Sequence, residues 1–223
     1  MRRVQVFDVN ETLLDLAALD PHFERCFGDA GVRQAWFNQM IQSALVATVT
    51  GAYSQFGQVG MAALTMVASQ AGVELRDEDR EAIVGQLREL PAHPEVAGAL
   101  WRLREAGLRL AALTNSTEQV ARAQLEHAGI IDAFELVLSA DAVRRLKPAP
   151  EPYRMAAARL GVAVGAVRLI AAHAWDVAGA ARAGCATAFV ARPGKVPDPL
   201  VERPGVIGAD LAEVADGILA IDT

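Results

Sequence analysis

Val4-Gln5-Val6-Phe7-Asp8-Val9-Asn10-Glu11-Thr12 decides how the chain is read. A short β-favouring run, Val4 to Phe7, leads straight into a carboxylate. An apolar run of this length suits a strand buried on both faces, as in a parallel sheet. Four similar runs follow at 109–113, 135–138, 168–172 and 187–190. Polar residues stand at or just past the ends of several of them: Thr114-Asn115 after the second and His173 after the fourth.

Helical patterns lie between the later runs. Ser116 with Gln119 three residues on is a capping-box signature for a helix to about residue 128, stopped by Gly129. Pro150 and Pro152 suit the first turn of a helix that ends before Gly161. A further helix near 177–183 ends at Gly184. Strands alternating with helices predict a doubly wound, Rossmann-like α/β core with a parallel sheet.

The stretch 16–90 breaks this alternation. It holds no convincing strand, but it has helix-like patterns at 33–49, 56–71 and 77–90. Thr50-Gly51 and Gly72-Val73 separate them, and Pro91-Ala92-His93-Pro94 reads as a return linker. The expected organisation is a core formed by 1–15 and 91–223, with 16–90 inserted after strand one as a helical cap.

Composition narrows the function. Hydrophobic residues make up 52% of the 223 and charged residues 22%, which excludes a disordered chain. A net charge of −6 argues against a nucleic-acid partner, since phosphate binding needs a basic face. A small anionic substrate needs only a locally positive pocket. Cys26 and Cys185 form neither a metal spacing nor a disulfide framework. No signal peptide and no apolar run of about 18 residues is visible. A cytoplasmic protein with no membrane partner is the expectation. A mean hydropathy of +0.22 leaves apolar surface that a homodimer would cover.

Ligands of open parallel sheets bind at the carboxyl ends of the strands. Three polar clusters fall there, at 8–12, 114–116 and 173–176, and Lys147-Pro148 sits in the loop after strand three. A lone strand-end aspartate is commonly a turn residue. Asp8, Thr114, Lys147 and Asp176, in this order at these element ends, form a combined signal. A carboxylate serves as a nucleophile if it is kept ionised and desolvated. Lys147 can keep Asp8 so, because a nearby cation favours the charged form. The helix start beyond Thr114-Asn115 offers free backbone N–H groups to an anion.

Four segments, Phe7-Asp8-Val9-Asn10-Glu11-Thr12, Leu113-Thr114-Asn115-Ser116, Leu146-Lys147-Pro148 and Ala172-His173-Ala174-Trp175-Asp176, carry a family likeness. The chain resembles the haloacid dehalogenase superfamily, and within it the 2-haloacid dehalogenase branch, over nearly its whole length. The resemblance implies that Asp8 is the nucleophile, Thr12 a hydroxyl beside it and Lys147 its charge partner. It implies that Thr114 and Asn115 donate hydrogen bonds to substrate or nucleophile, and that Asp176 is the fourth-motif carboxylate. Tyr153 and Trp175 match the same pattern. Arg33 matches an arginine held over the nucleophile, able to pair with a substrate carboxylate or departing halide. Phe56, Tyr53 and Trp175 are candidates to wall off the substrate's alkyl group. The implied reaction turns a short L-2-haloacid into a D-2-hydroxyacid and halide, without cofactor or metal.

Two features separate this reading from the phosphatases that dominate the superfamily. Those enzymes carry a second aspartate two positions after the nucleophile, and here that position is Asn10, which is no general acid. Their fourth motif supplies several acidic ligands for Mg²⁺, and here Asp176 stands alone. A Mg²⁺-dependent phosphomonoester hydrolase, with Glu11 as an unusual acid, is the alternative. A catalytically idle ligand-binding protein is a third.

The chain also departs from the dehalogenase pattern. Tyr-Gly is usual where Asn10-Glu11 stands, and Ser-Ser-Asn is usual where Ala171-Ala172-His173 stands. The neighbouring positions of strands one and four in the superfamily would bring Glu11 and His173 together beside Asp8. Glu11 would orient the imidazole and His173 would activate the hydrolytic water, as in a triad.

Overall fold

The computed structural model describes residues 2–222. Six strands form one parallel sheet: β1 (Val4–Phe7), β2 (Leu110–Thr114), β3 (Leu136–Ser139), β4 (Val167–Ala171), β5 (Ala186–Val190) and β6 (Val206–Gly208). Their order is β3-β2-β1-β4-β5-β6. The first five match the expected runs to within a residue. The three-residue β6 was too short to leave a pattern.

Among the described residues the helices are α1 (Asp20–Phe27), α2 (Val32–Thr50), α3 (Phe56–Gln70), α4 (Asp77–Gln86), α5 (Val96–Glu105), α6 (Glu118–His127), α7 (Pro150–Leu160), α8 (Ala174–Ala183) and α9 (Leu211–Asp222). Between β1 and β2 the chain is helical, with α1 to α4 packing on one another before α5 returns to the sheet. α1, α5 and α9 were not read from the sequence. No described helix is long and apolar enough to cross a membrane.

Strand side chains alternate between the two faces of the sheet. Phe7, Leu110, Ala112, Ile170 and Val190 belong to a core shared with α1 to α6 and α9. Val4, Val6, Leu113, Leu169 and Phe189 belong to a second core with α7 and α8. Both faces are covered, which explains why the strands read as unbroken apolar runs.

Two helix starts differ from expectation. α6 begins one residue later than the Ser116 cap predicts, because the Thr117 hydroxyl accepts from the Val120 N–H. The Ser116 N–H instead reaches the Thr114 hydroxyl at 3.2 Å. α8 begins at Ala174, three residues earlier than expected, with His173 in the capping position. Asp176 therefore lies inside the first turn, where its carboxylate is free for other partners.

β1 is paired with both β2 and β4, so the chain reverses its direction of winding at β1 and β4. This switch point opens a crevice at the carboxyl edge. Asp8 and His173 stand on its two lips.

Candidate active site

Asp8 follows β1 directly, and its backbone N–H still bonds to the Ile170 carbonyl of β4 at 3.0 Å. Its side chain is therefore aimed by the sheet itself. One carboxylate oxygen, Oδ1, accepts from Lys147 Nζ at 2.8 Å. The other, Oδ2, accepts from the Thr12 hydroxyl at 2.7 Å and lies 3.1 Å from His173 Nδ1. The Thr12 hydroxyl in turn accepts from the Ala172 N–H at 3.0 Å. Burial alone would raise the Asp8 pKa, but Lys147 and His173 outweigh it and hold the carboxyl well below its usual range. Asp8 is ionised at any working pH.

Lys147 is fully buried and has three acceptors: Asp8, the Leu113 carbonyl at 3.0 Å and Asp176 at 2.6 Å. The second oxygen of Asp176 accepts from the Tyr153 hydroxyl at 2.5 Å. Burial opposes the Lys147 ammonium, yet Asp176 and Asp8 together raise its pKa. Asn115 fixes the loop that carries it. Its Oδ1 accepts from the Lys147 N–H at 2.7 Å, and its Nδ2 faces the Lys147 carbonyl at 3.4 Å. The Asn115 side chain thus positions Lys147 rather than pointing freely at a ligand.

The opposite side is built differently. His173 Nε2 lies 2.8 Å from Glu11 Oε2, the same oxygen that meets Lys195 Nζ at 2.6 Å. Phe37 and Trp175 sandwich the imidazole, with ring centroids at 5.6 Å and 5.1 Å. Burial alone would depress the His173 pKa, but Asp8 and Glu11 overcome it and lift the value to about 9. In the resting site the Asp8 and Glu11 carboxylates thus face Lys147, His173 and Lys195, while burial, with Asp8 beside it, pushes the Asp176 pKa up against the pull of Lys147.

Glu11 has a φ of 59°, in the left-handed region. This conformation costs a side-chain-bearing residue about 1–2 kcal/mol. The strain explains why glycine suits this position in the related pattern. Here it is tolerated at a residue whose carboxylate spans an imidazole and an ammonium.

A family profile described as haloacid dehalogenase-like hydrolase matches residues 3–184. The chain belongs to this family. (S)-2-haloacid dehalogenase 2 of Pseudomonas sp. (strain CBS-3) is 28% identical over 211 residues, 94% of this chain and 92% of that protein. The solved L-2-haloacid dehalogenase RSc1362 superposes with a TM-score of 0.91 at 28% identity, covering 97% of this chain and 98% of that one. The L-2-haloacid dehalogenase from Xanthobacter autotrophicus with chloropropionic acid covalently bound shares the fold. Its TM-score is 0.91 at 24% identity, over 99% of this chain and 100% of that one.

In this haloacid dehalogenase-like hydrolase, Asp8 lines a small cavity together with Asn10, Phe56, Thr114, Asn115, Lys147, His173 and Trp175. Glu11, Thr12, Tyr153 and Asp176 stand behind them as hydrogen-bond partners. Asn10 Oδ1 accepts from Gln124 Nε2 at 3.1 Å. Arg33 does not line that cavity. Its guanidinium bonds Asp20, and its Nη1 lies 4.0 Å from Glu11 Oε1.

Sequence reading missed Phe37 and Ile41, which line the cavity, and Lys195, which holds Glu11. It also missed Arg192, which donates to the Thr12 carbonyl at 2.9 Å. Arg192 and Lys195 follow the fifth strand at the carboxyl edge, so their location carried a signal. Phe37 and Ile41 lie one helical turn apart on α2 and looked like plain core. Among the described residues no cluster of acidic, histidine or cysteine side chains has the arrangement of a metal site.

Proposed function

We propose that this hydrolase cleaves the carbon–halogen bond of 2-haloalkanoic acids, converting an L-2-haloacid into a D-2-hydroxyacid and halide. The observation that carries the reading is an ionised, buried carboxylate held by three donors, with the amide of Asn10 where a phosphatase carries its acid. A halide leaves with its electron pair and needs no proton. An alkoxide leaving a phosphate ester does need one, and Asn10 cannot supply it. Both oxygens of Asp176 are engaged by Lys147 and Tyr153, which also suits a role other than cation ligand. The dehalogenase names of full-length relatives support the same reading.

The substrate carboxylate meets the N–H groups at the start of α6. Oδ1 of Asp8 has a single donor and keeps a lone pair for attack. It attacks C2 from behind the halogen, so the Oδ1–C2 bond forms as the C2–halogen bond breaks. The centre inverts and an Asp8 ester results. The covalently bound chloropropionic acid of the Xanthobacter enzyme supports such an intermediate.

Esterification removes the Asp8 charge that raises the His173 pKa. His173 then loses its Nδ1 proton to solvent water, while its Nε2–H stays on Glu11. With Nε2–H directed at Glu11, Nδ1 presents a lone pair to a water beside the ester carbonyl. The water oxygen adds to Asp8 Cγ while its proton passes to Nδ1. Collapse expels the 2-hydroxyacid oxygen, which takes that proton. The Asp8 carboxyl left behind is strongly acidic and returns a proton to His173.

Halide release from both enantiomers of 2-chloropropionate, measured in EDTA, tests this. Metal-independent release from the L form, absent in Asp8→Asn, is expected. One turnover in ¹⁸O-water should label Asp8 before product. No halide, with phosphate released from a phosphate ester only when Mg²⁺ is present, would transfer the chain to the phosphatase reading.

A further inference from the structure

The niche around Asp8 has only about 10 Å³ of free space, enough for about one water. Two much larger cavities adjoin it. One, of about 580 Å³, runs between α2 and the loop at 193–196 and reaches His173 and Lys195. Gln34, Asn38 and Gln42 line it together with Lys195, so it offers water a polar route to the imidazole.

The other cavity, of about 650 Å³, lies among α2, α3, α4 and the first turn of α6. Trp36, Met40, Phe56, Met61, Val84 and Leu87 give it apolar walls. Asn10, Phe37 and Phe56 line both this cavity and the Asp8 niche, so the two volumes meet there. A volume of this size falls within the roughly 300–1,000 Å³ range of pockets that enclose drug-sized ligands. A two- or three-carbon haloacid leaves most of it unused.

We propose that this cavity receives an apolar substituent carried by the substrate, so that the enzyme's substrate class extends to 2-haloalkanoic acids with chains of about six carbons or more, or with an aryl group at C3. This rests on the dehalogenase reading and specifies its substrate. The carboxylate and C2 stay at Asp8, and the chain passes Asn10 and Phe56 into the space beyond. The junction is open because residue 10 is a short amide, where the related pattern carries a tyrosine ring. Gln124 holds that amide from the side. Met40 and Met61 are unbranched and adapt to chains of different shape. Gly57 lies on the cavity's exposed rim, where a Cβ would meet no atom within 4 Å. The walls turn polar at Arg88, Gln58 and Glu118, which limits the occupant to an apolar tail of finite length.

The test is kcat/KM for halide release from 2-bromopropanoate, 2-bromohexanoate and 2-bromooctanoate. Each methylene buried should raise it about fourfold, so 2-bromohexanoate should exceed 2-bromopropanoate by about 60-fold. Gly57→Leu and Met61→Trp fill the cavity from two positions, and their thermal midpoints report whether each variant folds. Both should remove at least about tenfold of the long-chain advantage and leave 2-bromopropanoate within about twofold. Turnover of 2-bromopropanoate with no gain from longer chains overturns the proposal. So does an equal loss on all three substrates in both folded variants. Halide release from none of them overturns the dehalogenase reading itself.

Discussion

The two sides of Asp8 are made of different chemistry. On the Oδ1 side, Lys147, Asp176 and Tyr153 are almost fully buried and saturate one another with short hydrogen bonds. On the Oδ2 side, His173, Glu11 and Lys195 form a line towards a solvent-connected cavity. The first side contains a cation whose charge is locked by two carboxylates. The second contains one whose charge depends on the state of Asp8. The lesson is a division of labour. On the proposed route, the locked side keeps Asp8 ionised for attack, and the titratable side changes role once Asp8 is esterified.

The comparison breaks most sharply at Lys147. In Lys147→Met, Asp8 and Asp176 lose the cation between them, and only His173 still faces Asp8. Removing one partner of such a buried cluster costs about 3–5 kcal/mol. Halide release should fall to background, and the thermal midpoint should drop at neutral pH. The two carboxylates gain protons as pH falls, so the stability gap to wild type should narrow towards pH 4. A folded variant with near-normal turnover would show that the locked side is dispensable.

On the titratable side, His173→Asn should spare the first half of the reaction and stall the second. About one equivalent of halide per site should appear quickly, and the esterified protein should accumulate in intact-mass spectra. Steady-state turnover should fall about 10²–10⁴-fold. Unchanged single-turnover hydrolysis of the ester would remove His173 from the mechanism. The same variant tests the resting charge. A folded-state pKa near 9, against an ordinary 6.5, means that protonated His173 stabilises the fold fully below pH 6.5. That contribution, about 3 kcal/mol for such a shift, is lost as pH rises through 9. The stability difference between wild type and variant should therefore be largest near pH 6 and vanish by about pH 10.

Sequence and structure divide along the same line. The locked side was legible residue by residue, because Asp8 ends β1 while Lys147 and Asp176 lie in the loop and helix start that follow β3 and β4, whose apolar runs are unmistakable. The pairing of His173 with Glu11 was also legible, through the adjacency of β1 and β4. Its charge state was not, since a pKa depends on burial and on two carboxylates at measured distances. Asn115 shows a similar limit. Its residue type suggested a donor to the substrate, while its side chain is occupied by the Lys147 backbone. α5 and α9 escaped notice because each is amphipathic over barely three turns between loops. Phe37 and Ile41 looked like core because a helix facing a site and one facing an interior carry the same apolar stripe.

The smallest expected effect falls on the residue that sequence reading missed. Lys195 and His173 share one oxygen of Glu11, and Lys195 sits over the Phe37 ring that stacks on the imidazole. Burial tends to raise the Glu11 pKa, but His173 and then Lys195 lower it below the usual value. In Lys195→Met the carboxylate turns wholly to the imidazole, and a like charge disappears from its neighbourhood. Both changes make His173 hold its proton more tightly. On the proposed route ester hydrolysis needs the neutral imidazole, so the rising limb of kcat with pH should move upward by on the order of one unit. Turnover near neutrality should drop several-fold and converge on wild type at alkaline pH, and Lys195→Arg should restore the profile. A lysine that merely anchored its loop would lower kcat equally at every pH. The shape of the profile, rather than its height, therefore decides whether the line from His173 through Glu11 to Lys195 acts as one unit.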